Sequence, residues 1–99
     1  MATIRIALQD GFEDDTVVIA VNGKEVFNQK NVKTKRQIGK AAACELELAH
    51  GTAEVEVSLP LRKLSDRIAV KISDDVYVGI SLAEGRIEHR ISSEPFRYA

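Results

Sequence analysis

The sequence predicts an all-β domain, a two-layer antiparallel β-sandwich of about eight short strands. Three observations predict it. Apolar and polar residues alternate with a period of two over almost the whole chain, which puts one face of each strand in a core and the other in water. No long window follows the i, i+3, i+4, i+7 spacing of an amphipathic helix as well as it follows this alternation. Turn-forming residues punctuate the apolar runs at intervals suited to short strands.

The first strand is read from Ile4, Ile6 and Leu8, followed by the acidic loop Gln9-Asp10-Gly11-Phe12-Glu13-Asp14-Asp15. Val17, Ile19 and Val21 then lead into Asn22-Gly23, two residues that tolerate positive φ and so predict a two-residue type I′ hairpin. That register pairs Ile19 with Val26 and Val18 with Phe27, leaving the hairpin partly apolar on both faces. Gln29 to Lys40 reads as a long irregular stretch lying across one end of the sandwich, anchored by Val32 and Ile38.

Cys44, Leu46 and Leu48 form the next inward set, and Val55, Val57 and Leu59 the one after it. Leu59-Pro60-Leu61 closes that strand, because proline removes a ladder donor. Ile68, Val70 and Ile72, then Val76, Val78, Ile80 and Leu82, then Ile87 and Ile91 complete a β-branched inner surface. His50-Gly51, Ser73-Asp74-Asp75 and Ala83-Glu84-Gly85-Arg86 are expected to join these strands as a meander of antiparallel neighbours. The chain of 99 residues suits one domain spanning 1–99, with no repeat or linker inside it. At the level of fold alone the pattern resembles immunoglobulin-like sandwiches, jelly rolls and the sandwiches of carbohydrate-binding modules, and fold does not fix function.

Charge narrows the partners. With 14 basic and 15 acidic residues the net charge is -1, which gives no field to steer the chain onto nucleic acid or an anionic membrane. No apolar run approaches the roughly 20 residues that span a bilayer, and no secretory pattern opens the sequence. One cysteine, Cys44, forms no internal disulfide, so a reducing compartment such as the cytoplasm is the expected one.

Four groups of residues invite a chemical reading. A tight His50-Gly51 turn would oppose Glu47 to Glu54 and Glu45 to Glu56, a carboxylate cluster relieved by Arg67 and Lys71 on the following strand. The acidic loop offers Asp10, Asp14 and Asp15 as weak metal candidates: it supplies several hard oxygens, but its spacing does not match a calcium-binding helix-loop-helix. Lys24, Lys30, Lys33, Lys35, Arg36 and Lys40 make a basic stretch interrupted by one acid, Glu25, and suited to an acidic protein surface. It lacks the stacking rings or recognition helix that nucleic acid would need. The C-terminal Phe96 and Tyr98, at alternate positions after Pro95, either fold back near Val18 and Phe27 or are presented to another chain.

Catalysis finds little footing. Cys44 lies among leucines, where a thiol is a small hydrophobe with a raised pKa, and His89 sits between Ile87 and Ile91 as a core or edge histidine. No phosphate loop, nucleophile elbow or zinc spacing occurs, so no enzyme and no cofactor is expected. The favoured expectation is a non-catalytic module that binds another protein, or a second copy of itself. It would use the basic loop from Lys24 to Lys40, with Lys30, Lys33, Lys35 and Arg36, an exposed sheet edge, or the aromatic tail with Phe96 and Tyr98. The alternative is a carbohydrate- or calcium-binding module with Tyr77 as its stacking platform, a weak grip for a chain without tryptophan.

Overall fold

The computed structural model describes residues 2–34 and 41–96. Among them eight strands run in chain order: β1 (Ala2–Leu8), β2 (Asp15–Val21), β3 (Lys24–Val32), β4 (Ala42–Leu48), β5 (Gly51–Leu59), β6 (Leu64–Ile72), β7 (Val76–Ala83) and β8 (Arg86–Ser92). The only helical piece among the described residues is a one-turn 3-10 helix, Pro60–Arg62, between β5 and β6. The strands form two four-stranded sheets, β4-β1-β7-β8 and β3-β2-β5-β6. Their inner faces pack into one β-sandwich core, with Ile4, Val17, Val55, Val57, Val78 and Ile80 wholly removed from solvent. Here the period-two pattern is decisive, because each inward set buries one apolar face at about 25 cal/mol per Å².

Local turn chemistry holds where it was read. Asn22 and Gly23 have φ of 52° and 82°, and Glu84 and Gly85 of 52° and 73°, so both two-residue turns adopt the twist that hairpins require. The register of the first hairpin departs by one residue. A bulge between Ile19 and Ala20 leaves Val26 unopposed and pairs Ile19 with Phe27 and Val18 with Asn28.

The meander does not form at His50-Gly51 or at Ser73-Asp74-Asp75, because both turns carry the chain from one sheet to the other. Strand β4 therefore pairs with β1, and β7 enters the first sheet beside β1 as the single parallel pair among the described strands. The stretch from Gln29 is also more regular than expected: β3 continues to Val32, which is buried as an anchor, while Ile38 lies outside the described residues.

The margins of the sandwich differ. Strands β6 and β8 pack against each other, and His89 Nδ1 lies 3.6 Å from Asp66 Oδ2 across that seam. His89 is thus an edge residue. Ile91, read as inward, remains 48% exposed on the same outer strand. Strands β3 and β4 end their sheets at the other margin.

Candidate functional site

The outward residues of the first sheet form rows across its strands. One row is Glu45, Arg5, Tyr77 and Ser92; the next is Ala43, Ala7, Gly79 and Arg90. Each row follows from the pairing register, since residues facing the same way on neighbouring strands stand side by side. Arg5 is the hub of the first row. Its Nε donates to Glu45 Oε2, its Nη1 donates to Tyr77 Oη at 2.8 Å, and its guanidinium lies 5.4 Å from the centre of the Tyr77 ring. The hydrogen bond to Glu45 is the main reason its guanidinium pKa is raised above the ordinary value.

The second row is a depression, because Ala43, Ala7 and Gly79 place almost no side chain above the sheet. Gln9 fills it over Gly79, where an added Cβ would meet the Gln9 amide oxygen at 2.5 Å. Nearer β4 it stays open as a pocket of about 230 Å³, lined by Arg5, Ala7, Ala43, Tyr77, Pro95 and Phe96. The chain after β8 thus turns over the first sheet, with the Arg90 guanidinium 4.9 Å from the centre of the Phe96 ring. The fold-back of Phe96 is real, but it covers the face around Tyr77 rather than Val18 and Phe27 in the other sheet.

Tyr77 and Phe96 are the two sequence-predicted residues that the fold brings together; Tyr98, Lys35 and Arg36 lie outside the described residues. Lys30 on β3 and Lys33 just after it are exposed, far in sequence and sheet from that pocket. The expected four-carboxylate cluster is dispersed, because β4 and β5 belong to different sheets. Glu45 meets Arg5, Glu47 stands beside Thr3, Glu54 beside Ala69 and Glu56 beside Arg67. The expected relief by Arg67 is present, with Nε 2.8 Å from Glu56 Oε2.

The acidic loop is a fastening. Asp15 is buried and accepts from Arg62 Nε at 2.6 Å, from Arg62 Nη2 at 3.2 Å and from the Glu13 amide at 2.9 Å. Its carboxylate charge is therefore already matched, while Asp10 and Asp14 remain exposed. Phe12 is 1% exposed and belongs to the core. Asp75, in the turn before β7, lies at the opposite end of β1 from this loop and accepts from the Thr3 amide. Among the described residues no three His, Cys, Asp or Glu side chains converge as metal ligands.

Cys44 is half-buried on the inner face of β4, and burial pushes its thiol up to about 11. Arg5, Ala7 and Ala43 are site residues that sequence reasoning missed. Their outward orientation was legible from alternation with Ile4, Ile6 and Cys44, but their neighbours come from strands remote in sequence. No protein-family model matches this chain, and no curated protein matches it in sequence. No helix among the described residues is long and apolar enough to cross a membrane.

Proposed function

We propose that this domain is a non-catalytic protein-binding module that docks an extended segment of its partner along β4. The observation that carries this reading is the contrast among the four sheet edges. An edge strand exposes a row of unpaired main-chain donors and acceptors, and proteins blunt such rows with bulges, lysines and inward-facing charges. Strand β3 carries the bulge and, at its tail, Asn31 in a left-handed conformation with φ of 58°, together with Lys24 and Lys30. Strands β6 and β8 turn Asp66 and His89 inward toward each other. Strand β4 has an unbroken register from Ala42 to Leu48, with no proline, no lysine, no arginine and no inward charge. Main-chain pairing along it would supply affinity, and the pocket beside Ala43 would supply selectivity.

The sugar-binding alternative is less well supported. Sugar stacking favours free aromatic platforms, whereas the Tyr77 and Phe96 rings each hold a guanidinium over one face, that of Arg5 and that of Arg90, and the chain has no tryptophan. The test is selection of phage-displayed random peptides on the immobilised domain. Enriched peptides should lose binding to Ala43→Arg, whose exposed side chain would crowd the pocket, and keep binding to Lys30→Glu/Lys33→Glu. No enrichment, or binders indifferent to Ala43→Arg, would overturn the reading.

A further inference from the structure

Resting on that reading of β4, we infer that the partner segment is a cationic strand with one aromatic or large apolar residue, in the antiparallel order basic-x-basic-x-aromatic. The sheet geometry dictates the order. A strand laid antiparallel beside β4 places its outward residues, two positions apart, opposite Glu47, then Glu45, then Ala43. Antiparallel addition continues the relation that β4 already has with β1, and it pairs slightly better per residue than parallel addition.

Charge selects the first two positions. On the outward faces of β4 and β1, Arg5 is the one cation among the described residues, against Glu45 and Glu47, and Asp75 lies beside Thr3 in the Glu47 row. A lysine or arginine opposite Glu47 meets an exposed carboxylate, and one opposite Glu45 shares a carboxylate already polarised by Arg5. The same two glutamates disfavour a second copy of this chain. Antiparallel pairing of β4 with β4 centred on Glu45 opposes Glu45 to itself, and pairing centred on Leu46 opposes Glu45 to Glu47 twice.

Shape selects the third position. Neighbouring strands lie about 4.8 Å apart, and Ala43 offers only a methyl group between the added strand and the pocket. A ring opposite Ala43 can lean across it onto Ala7, with Tyr77 and Phe96 as walls and Pro95 at the rim. Truncating an aromatic anchor seated in such a pocket is costly, so the ring adds selectivity to the affinity that main-chain pairing supplies.

The experiment is an NMR titration of the full chain with the blocked peptide TKTKTFT, beside TKTKTAT and TETETFT, at physiological salt. Saturable shifts centred on β4 are expected with TKTKTFT. Replacing the ring should weaken binding by roughly tenfold, as for an anchor contact; substituting Glu47→Lys in the domain, which opposes like charges on an exposed face, should weaken it by roughly twofold to fivefold, and TETETFT should not bind. Equal binding of the lysine and glutamate peptides, indifference to the ring, or no response at β4 would overturn the proposed partner chemistry. If selected peptides of another pattern still bind at β4, the module survives and only its partner class falls.

Discussion

The loop between β1 and β2 and the strand β4 have exchanged the roles their sequences suggest. The loop is acidic and irregular, yet its main chain is tied down on every side. The Gln9 amide donates to the Ile80 carbonyl at 2.7 Å, the Leu82 amide to the Asp10 carbonyl at 2.8 Å, and the Thr34 amide to the Phe12 carbonyl at 2.9 Å. The Thr34 hydroxyl adds a bridge, donating to the Gln9 carbonyl and accepting from the Phe12 amide. Strand β4 is regular, yet among the described residues no strand pairs with its outer edge. Accounting for main-chain hydrogen bonds, rather than regularity of structure, separates a fastening from a docking surface.

The largest effect separating the two regions is expected at Gly11. Its φ of 90° and an added Cβ only 2.1 Å from the Leu82 carbonyl oxygen make Gly11→Ala a steric and conformational fault. It should cost about 3 kcal/mol or more, read as a lowered denaturation midpoint. Asp15→Asn comes next. It removes the charge facing Arg62 and should cost about 1–3 kcal/mol by the same measurement, since charge-assisted hydrogen bonds near the interior are lost.

At β4 the stability effects are smaller and depend on conditions. Burial raises the Cys44 thiol to about 11 in the folded chain, so the native state holds its proton where the unfolded chain, near the ordinary value of 9.0, has released it. Stability should therefore be unaffected below about pH 8, fall as pH rises from about 9 to 11, and lose that component of slope in Cys44→Ala. The smallest change is expected from Glu47→Gln. Its stability should stay within about 0.5 kcal/mol of the parent, as for an exposed residue away from caps and core, while its affinity for TKTKTFT falls.

Much of this fold was legible because its determinants are local. Alternation marked Ile4, Val57 and Val78 as inward, and positive-φ residues marked the turn at Asn22-Gly23. Turn composition reports that the chain reverses but carries no information about which sheet the next strand joins. His50-Gly51 and Ser73-Asp74-Asp75 therefore read as hairpins although each crosses the sandwich. That single ambiguity hid the parallel β1–β7 pair, dispersed the expected glutamate cluster and concealed the edge position of β4. The candidate site was visible in its parts, since Tyr77 and Phe96 stood out as the outward ring and the tail ring. Their meeting around Arg5 depends on pairings among residues some 70 positions apart, as the Arg5–Tyr77 separation of 72 illustrates.

Amide hydrogen exchange along β4, measured by NMR with and without saturating TKTKTFT, tests the docking account most directly. Alternate amides between Ala42 and Leu48, those facing away from β1, should slow on peptide addition, with β3 and β8 unchanged. Slowing confined to β3 or β8, or bound peptide with no change along β4, would contradict it.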